Sequence, residues 1–388
     1  MNNRYFANSL SEVKALLVKI SIKIIDKLPV NNRKIVYDNF NGSGFGGNPK
    51  YINEYLQTKN KYKSVWLTKG DHEFPTYVKT VRINSLRAYY EASTAKVRIT
   101  NIRNSKFPKK KKSQIHIQTW HSSYGFKKCE KAIENQLNPN YVKAAKYDGL
   151  ITDAIIADSE LQKKGFQKNF WLNDEVEYLC YGLPRTDELI SCQNKQEVKD
   201  GLFAKYGIPK DNLLVLYAPT FRDDKSTNGY LKDFSFVQKA LQDTLEQNVT
   251  IGVRFHPNAK EEFHKLNYQK VINLTDEGNM QEIEIAADIL ITDYSSVMFD
   301  FAILNKPVFV CATDFDSYSK IRIKVDEYTA MPFPLTYSEE DLIMSIKNFD
   351  KQSYQYKVGE FLKKHPFFSD GHSAEKVGNW IINKINTK

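Results

Sequence analysis

The chain has 388 residues, 41% of them hydrophobic and 26% charged, which is the composition of a globular protein. This length exceeds what one ordinary core organises, so we expect two domains. The formal net charge of +10 favours an anionic partner, either a phosphorylated substrate or an anionic membrane surface, and since no nucleic-acid-binding module is recognisable, a nucleic-acid partner is not expected.

Two further classes are disfavoured by the residue pattern. No apolar run is long enough to span a membrane, and the first residues lack the apolar core and cleavage site of a signal peptide. The four cysteines form no C-x-x-C pair, so we interpret them as reduced thiols and expect neither a metal site nor a cofactor.

Residues 1–30 contain the first predicted element, an amphipathic helix over residues 9 to 28. Two interpretations stay open: the helix packs on the body of the protein, or it lies in a membrane interface, which its lysines favour. Its apolar face carries Val13, Leu16, Leu17, Ile20, Ile24 and Leu28, and its polar face Glu12, Lys19, Lys23 and Lys27.

From residue 33 on, short apolar runs alternate with helical patterns, which is typical of βα units and predicts two parallel sheets covered by helices. We expect one Rossmann-like domain over 31–190 and a second over 196–365, joined by a polar linker within 184–211. Residues 366–388 are predicted to form a helix that crosses back to the first domain. The predicted strands include "KIVYDNF", "KSVWLT", "KVRITN", "IHIQTWH", "NLLVLYAPT", "VTIGVRFHP", "DILITDYSS" and "PVFVCA".

Polar or aromatic clusters follow four of these strands. They read "WHSSYGFKK", "APTFRDD", "FHPNAK" and "DYSSVMFDF". In open parallel sheets ligands bind beyond the carboxyl ends of the strands. Four such clusters with two histidines, an arginine and paired serines therefore predict a crevice between the domains that handles a phosphorylated ligand.

The "DYSS" segment at 293–296 joins a buried strand to a buried helix. In one interpretation, Ser295 or Ser296 serves only as a helix cap. Alternatively, the helix start binds phosphate, with Asp300 one turn further on the same side.

A glycine-rich loop, "GSGFGG" at 42–47, resembles a dinucleotide-binding fingerprint. Asn48 and Pro49 follow it, which places the predicted helix start near Pro49 rather than directly after the loop. We therefore disfavour a dinucleotide site and expect this loop to border the acceptor side of the crevice.

The motifs "QTWHSSYGFKK", "LYAPTFRDD", "RFHP" and "ADILITDYSSVMFDFAILNKPVFV", in this order, resemble the CDP-glycerol glycerophosphotransferase family over about residues 33–385. These teichoic acid and capsule enzymes transfer glycerol phosphate or ribitol phosphate from CDP-activated donors. The resemblance implies an α/β, GT-B-like architecture in which two Rossmann-like domains face a central crevice. It also implies a peripheral protein on the cytoplasmic face of a bacterial membrane.

The resemblance extends to individual residues. The sequence departs from the family pattern at Ser122, where glycine is usual, and at His372, where lysine is common, which leaves the acceptor open. The matching positions are Trp120, His121, residues 218 to 224, His256, Pro257, residues 292 to 296 and Asp300.

A hydroxyl that attacks the β-phosphorus of the donor needs a base, and neutral histidine suits that role. We assign His121 as the base and His256 to the pyrophosphate. In the alternative interpretation, His121 packs beside Trp120 and His256 caps a strand end. Trp120, Ser122 and Lys127 are placed on the acceptor side. The predicted donor-binding residues are Thr220, Arg222, Arg254, Asp293, Ser295, Ser296 and Asp300.

The predicted function is transfer of a polyol phosphate from CDP-glycerol or CDP-ribitol to a hydroxyl of a teichoic acid or capsular polysaccharide, with release of CMP. The acceptor would be a glycan or a lipid-linked polymer. Two alternatives remain: a GT-B glycosyltransferase or epimerase that uses a UDP-sugar, and a non-catalytic, membrane-associated polysaccharide-binding protein.

Overall fold

The structure is a computed structural model that describes residues 2–103, 107–222, 224, 226–256, 259, 261–266, 268 and 270–387. Side chains are described over the same ranges except at residues 2–14, 262 and 321. Along the chain, strands alternate with helices throughout both halves, as the apolar pattern predicts.

The first half carries seven strands. Its elements are α1 (Asn2–Lys27), β1 (Asn31–Asp38), α2 (Gly47–Gln57), β2 (Lys63–Thr68), β3 (Lys79–Arg82), α3 (Leu86–Thr94), β4 (Ala95–Thr100), β5 (Ile115–Gln118), α4 (Pro139–Ile151), β6 (Ala154–Ile156), α5 (Glu160–Asn169) and β7 (Glu177–Leu179), with 3-10 turns at Glu130–Gln136 and Pro184–Thr186.

The second half carries six strands. Its elements are α6 (Asp187–Ser191), α7 (Lys195–Tyr206), β8 (Leu213–Ala218), α8 (Ser235–Leu245), β9 (Val249–Val253), α9 (Glu262–Leu266), β10 (Val271–Asn273), α10 (Met280–Ala286), β11 (Ile289–Thr292), α11 (Val297–Ile303), β12 (Val308–Cys311), α12 (Phe315–Arg322), α13 (Val325–Thr329), β13 (Leu335–Thr336), α14 (Glu339–Lys347), α15 (Lys351–Lys364) and α16 (Ser373–Thr387).

Each half builds one parallel sheet, which confirms the predicted fold class. The first sheet has the order β3-β2-β1-β4-β5-β6-β7 and the second the order β10-β9-β8-β11-β12-β13. All their strand pairs are parallel. Central strands such as β4 and β11 are buried along their whole length, because helices cover both faces of a parallel sheet.

The last helix, α16, completes the core of the first domain although it follows the second. Val377, Ile381 and Ile385 are buried among the residues of the first sheet. The Tyr55 hydroxyl of α2 donates a hydrogen bond to Asn379 Oδ1 at 2.9 Å. The chain therefore crosses between the domains twice.

The helix α2 begins at Gly47, two residues before the predicted start near Pro49. Gly47 has φ +60°, a backbone conformation that glycine adopts without steric cost. The loop therefore turns into the helix within its own glycines, and Pro49 occupies the first turn, where its missing N–H has no intrahelical partner to lose.

In the part of α1 whose side chains are described, one edge of the helix rests on α3. Ile25 is buried, and the Tyr89 hydroxyl of α3 donates to Asp26 Oδ1 at 2.8 Å. By contrast Leu16, Leu17 and Ile24 are 57–58% exposed. Part of the predicted apolar face therefore contacts the first domain, and part is uncovered.

No helix among the described residues combines the length and the apolar character needed to cross a membrane.

Candidate active site

A cleft of about 590 Å³ lies between the two domains. The two halves also contact each other directly: Tyr124, which follows the first-domain strand β5, packs on Phe299 of α11 with ring centroids 4.3 Å apart. Many of the predicted site residues line the cleft, namely Trp120, His121, Ser122, Lys127, Thr220, Arg254, His256, Ser295, Ser296 and Asp300.

His121 sits in the loop that leaves β5, at the carboxyl edge of the first sheet. Trp120 before it has φ +51°, which turns the chain sharply, and the two rings stack with centroids 4.4 Å apart. The Nδ1 atom lies 2.7 Å from the carbonyl oxygen of Asn101. A carbonyl can only accept, so Nδ1 carries the proton and the Nε2 lone pair is left as the basic atom.

The environment keeps this ring neutral. Burial lowers the pKa of His121 to about 4, and the nearby charges of Arg185 and Lys127 act in the same direction. At neutral pH the imidazole is therefore in the form that a general base requires.

His256 approaches the same space from the second domain. Phe40, which follows β1, lies between the two histidines, with its ring centroid 5.2 Å from that of His121 and 6.5 Å from that of His256. Phe221 stacks on His256 at 5.8 Å. Burial, Lys127 and Arg254 lower the pKa of His256 to about 4, so this ring is also neutral in the free protein.

The loop that carries His121 is tied to the start of α2 by one buried amide. Asn48 Nδ2 donates to the carbonyl oxygens of Thr119 at 3.2 Å and Trp120 at 3.1 Å. Asn48 Oδ1 accepts from the backbone N–H of Arg185 at 3.1 Å. One side chain thus sets the relative positions of three segments that reach the cleft.

In the second domain, Asp293 joins the loops after β8 and β11. Its Oδ1 accepts from the backbone N–H of Thr220 at 2.8 Å, and its Oδ2 lies 2.9 Å from Arg222 Nη2. Arg222 also pairs with Asp314, at 2.7 Å from Nε and 3.0 Å from Nη2. Its guanidinium packs against the rings of Tyr294 and Tyr318.

The structure therefore does not bring Arg222 and Asp293 to the cleft, where we expected them to contact the donor. Two carboxylates accept hydrogen bonds from the Arg222 guanidinium, and the residue is 4% exposed. Its pairs shape the loop that presents Thr220, whose own hydroxyl is buried without a partner in the described part of the chain. Arg222 and Asp293 thus position the Thr220 loop without lining the cleft themselves.

The remaining donor-side residues do reach the cleft. Ser296 precedes α11 and makes no side-chain cap hydrogen bond, whereas the Ser295 hydroxyl accepts weakly from the Val297 N–H at 3.4 Å. The simple capping interpretation therefore does not account for Ser296. Arg254 is held by the carbonyl oxygens of Leu274 and Glu277.

Asp300 lines the cleft, but another side chain occupies both its oxygens. Arg185 donates to Asp300 Oδ2 through Nη1 and to Asp300 Oδ1 through Nη2, the latter at 3.2 Å. The pair joins the end of the first domain to α11. Asp300 therefore presents an arginine to the cleft rather than a free carboxylate.

On the acceptor side, the Ser122 hydroxyl accepts from Trp120 Nε1 at 3.0 Å, so it holds the indole in place. Lys127 pairs through its backbone with Ile323 of the second domain. His372, the other departure from the family pattern, is exposed at the start of α16 and does not line the cleft. Pro257 lies outside the described residues.

The cleft residues that escaped the sequence interpretation include Phe40, Asn48, Arg185 and Glu284. Phe40 and Asn48 follow β1, and Arg185 follows β7, so the rule that strand ends carry the site could have selected them. Glu284 lies within a helix, and nothing in its sequence context distinguishes it.

The two parallel-sheet domains and the cleft between them place the chain in the GT-B structural class. In agreement, the solved structure titled S. aureus MnaA-UDP co-structure has this fold, with a TM-score of 0.53 at 12% identity over 92% of this chain and 98% of that one. At this identity the likeness concerns the fold alone.

The chain belongs to the CDP-glycerol:poly(glycerophosphate) glycerophosphotransferase family, whose model matches residues 20–383. It is similar to a Teichoic acid glycerol-phosphate transferase of Staphylococcus aureus, 27% identical over 97% of this chain and 99% of the relative. It is also similar to a variant of the Wall Teichoic Acid Polymerase TagF, with a TM-score of 0.83 at 27% identity over 100% of this chain and 99% of that one.

A third relative is a Teichoic acid poly(glycerol phosphate) polymerase of Staphylococcus epidermidis, 30% identical over 92% of this chain. This chain spans 51% of that relative, about half its length. The family membership confirms the resemblance that the sequence motifs suggested.

Proposed function

We propose that the protein transfers a polyol phosphate from a CDP-activated donor to a hydroxyl of a teichoic acid chain, with release of CMP. The observation that carries this proposal is the pair of neutral histidines, His121 and His256, across Phe40 in an interdomain cleft lined by cationic side chains. Such a cleft suits an anionic donor and a base in its neutral form.

In the proposed reaction, the acceptor hydroxyl oxygen forms a bond to the β-phosphorus, which bears the polyol. The bond from this phosphorus to the oxygen that bridges to the α-phosphorus breaks, and CMP leaves with that electron pair. The hydroxyl proton passes to Nε2 of His121, the atom that the Asn101 carbonyl leaves basic. Arg254 and Lys127 supply positive charge beside the phosphates.

His256 is neutral in the free cleft, so its first contribution is a hydrogen bond rather than a charge. A bound pyrophosphate favours the protonated ring, because opposite charges nearby stabilise the charged form. His256 would then be able to return a proton to the leaving CMP.

We propose glycerol phosphate as the transferred group. Relatives named for glycerol phosphate include those at 27–30% identity described above, and a Teichoic acid poly(ribitol-phosphate) polymerase of Bacillus spizizenii is 26% identical over 92% of this chain. Ribitol phosphate is the second candidate. We further propose that transfer needs no metal, so EDTA should leave the rate unchanged.

A donor screen tests the proposal. Melting temperature and nucleotide release, as CMP from CDP-glycerol or CDP-ribitol and as UDP from UDP-N-acetylglucosamine, are measured with a short glycerol phosphate acceptor. We expect CDP-glycerol to raise the melting temperature and to yield CMP. A response to the UDP-sugar alone would favour the glycosyltransferase or epimerase alternative, and no response to any donor would favour the binding-protein alternative.

The capsule as an acceptor, and the membrane as a partner, are further proposals. We propose that the exposed part of α1 lies on an anionic lipid surface. Leu16, Leu17 and Ile24 are more than half exposed on a helix that also carries Lys19, Lys23 and Lys27. Apolar burial and lysine attraction act together at such a surface, with about 1 kcal/mol per lysine before screening by salt.

The test uses the double variant Leu17→Glu/Ile24→Glu, which alters exposed positions and should leave the melting temperature unchanged. We expect it to lose sedimentation with phosphatidylglycerol vesicles while it keeps activity on short soluble acceptors. Phe236→Glu is the matched control, because Phe236 is 67% exposed in the second domain. Vesicle binding by the double variant at wild-type strength would exclude α1 as the anchor.

A further inference from the structure

A buried charged cluster lies in the cleft wall where the two domains meet. It consists of Arg185 from the first domain and Asp300 and Glu284 from the second. The Asp300 side chain is 1% exposed and that of Arg185 11%. Burial of charged groups to this depth is costly unless each group is paired in the protein or with a bound ligand.

Arg185 has more donors than protein partners. A guanidinium carries five N–H groups in a fixed planar arrangement. Asp300 accepts from Nη1 and Nη2, and the Ser123 hydroxyl accepts from Nη2 at 3.3 Å. Within the described residues the buried Nε atom has no hydrogen-bond partner. An unsatisfied charged donor in a cleft wall is a binding group for an anion.

Glu284 shows the complementary feature. The residue is fully buried, Gln281 Nε2 donates to its Oε2 at only 3.4 Å, and its Oε1 has no partner among the described residues. Burial and the neighbouring Asp300 carboxylate raise the pKa of Glu284 well above its usual value. Glu284 also shares a side-chain hydrogen bond with Asp300, so Oε1 is the Glu284 oxygen left for a ligand, and a raised pKa favours the protonated form in which a carboxyl group can donate.

Arg222 shows what a structural arginine looks like in the same protein. Asp293 and Asp314 accept from its Nε and Nη2, and the Thr220 carbonyl accepts from its Nη1. Its positive charge faces two carboxylates, whereas the hydrogen-bonded carboxylate partner of Arg185 is Asp300. Of these two arginines, Arg185 is the one with a donor to spare.

We propose that Arg185 binds a phosphate oxygen of the reacting substrates through its Nε–H, that Glu284 donates a second hydrogen bond beside it, and that Asp300 is a positioning residue that orients the guanidinium. This inference rests on the proposed function. The phosphate belongs either to the pyrophosphate of the donor or to the terminal glycerol phosphate of the acceptor. Both sources present the same chemistry to the guanidinium.

The test compares Arg185→Ala, Arg185→Lys and Asp300→Asn with the wild type in the full chain. Dissociation constants are measured for cytidine, CDP and CDP-glycerol, and the KM for the acceptor is measured separately. Loss of a hydrogen bond to a charged group should weaken the relevant ligand about 10- to 100-fold in Arg185→Ala. Arg185→Lys keeps the charge without the fork and should recover only part of this.

The changes in affinity across the ligands show whether the phosphate that Arg185 binds belongs to the donor or to the acceptor. Weaker binding of CDP and CDP-glycerol with unchanged cytidine binding assigns Arg185 to the donor pyrophosphate. An increased acceptor KM with unchanged CDP binding assigns it to the acceptor. Added guanidinium should restore part of the activity of Arg185→Ala in either case, because it supplies the missing planar donor.

Arg98→Lys is the matched control, since it alters a buried arginine of the first domain that donates to the Ala92 and Pro108 carbonyls and to Gln114 Oε1 and does not line the cleft. It should lower the melting temperature without a phosphate-dependent loss of affinity. The inference is overturned if Arg185→Ala weakens cytidine and CDP binding equally, or if it weakens no ligand more than Arg98→Lys does. It then fails while the proposed function stands, provided the wild type still releases CMP from CDP-glycerol. A wild type that neither binds CDP-glycerol nor releases CMP would overturn both.

Two variants test the other members of the cluster. Glu284→Gln keeps a neutral hydrogen-bond donor and should bind the phosphate-bearing ligand with an affinity within a few-fold of the wild type. Glu284→Ala lacks the donor and should lose that affinity. A larger loss in Glu284→Gln than in Glu284→Ala would overturn the role of the neutral acid. Asp300→Asn should add little to the loss in Arg185→Ala, because a positioning residue acts only through the group that it orients. Additive losses would overturn that role.

Discussion

Substitution of Asn48 tests whether one buried amide controls the position of the catalytic loop. Its side chain joins the carbonyls of Thr119 and Trp120 to the backbone N–H of Arg185. In Asn48→Ala all these hydrogen bonds are lost, and the loop that carries His121 is no longer tied to α2. We expect a loss of both stability and turnover.

The magnitude follows from the hydrogen-bond inventory. Each lost hydrogen bond removes about 1 kcal/mol, and a buried N–H left without a partner costs about 1–3 kcal/mol. Because Asn48 is 1% exposed, water does not replace the amide freely. Three lost hydrogen bonds and one unpaired N–H should together lower the free energy of unfolding by about 4–6 kcal/mol. A displacement of His121 by about 1 Å should lower kcat about 100-fold.

Asn53→Ala is the matched control for this effect. Asn53 lies on the same helix, is fully buried, and makes hydrogen bonds of 2.7 Å to Ser64 Oγ and Trp66 Nε1 away from the cleft. Urea unfolding and CMP release are measured for both variants at a temperature well below either melting transition. Asn53→Ala should lose similar stability and keep its kcat.

The reasoning is refuted in two ways. If both variants lose kcat to the same extent, the effect of Asn48 is general destabilisation. If Asn48→Ala keeps wild-type kcat, the amide does not position His121.

Three further outcomes are expected. His121→Ala should lower the rate of CMP release about 10²–10⁴-fold while the Kd for CDP-glycerol stays constant. A near-wild-type rate in this variant would remove His121 from the mechanism. His256→Ala should instead weaken donor binding. Burial lowers the pKa of His121 to about 4, from an ordinary value near 6.5. The value of kcat/KM should therefore stay constant as the pH falls through 6 and decline only as the pH approaches 4. A decline of kcat/KM centred at pH 6.5 would contradict the buried geometry of His121. Arg222→Ala removes the guanidinium partner of the buried Asp293 and the partly buried Asp314 and should reduce the free energy of unfolding by about 3–5 kcal/mol. Unchanged urea unfolding would show that these ion pairs are dispensable.

The pH dependence of stability has a definite sign. The folded pKa values of His121 and His256 are both below that of an unperturbed histidine. As the pH drops from about 6.5 to about 4, these histidines therefore bind protons in the unfolded chain but not in the folded chain. The stability that these neutral rings contribute is present above that window and lost across it.

Much of the architecture was determined by the sequence itself. Alternating apolar runs and helical patterns are local signals, and parallel strands require crossover connections, so two βα sheets followed directly from them. The same topology brings the carboxyl ends of the strands to one edge, which is why His121, His256 and Ser296 could be assigned to one crevice before the structure was known.

Which arginine faces that crevice was decided only in the tertiary structure. The sequence favoured Arg222, which lies in a motif, over Arg185, which lies in the expected linker region. The choice depends on acids distant in sequence: Asp293 and Asp314 occupy Arg222, whereas Asp300 leaves the Nε–H of Arg185 available. Hydrogen-bond partners across such separations are set by packing, not by local pattern.

The chemical state of His121 was likewise a tertiary property. A histidine after a strand is visible in the sequence, but its tautomer is set by the carbonyl of Asn101 on a neighbouring segment. Its lowered pKa comes from burial between Trp120 and Phe40, which removes the water that would stabilise the imidazolium. Local sequence selects the residue type, and only the assembled cleft determines which of its nitrogens carries the proton and at what pH.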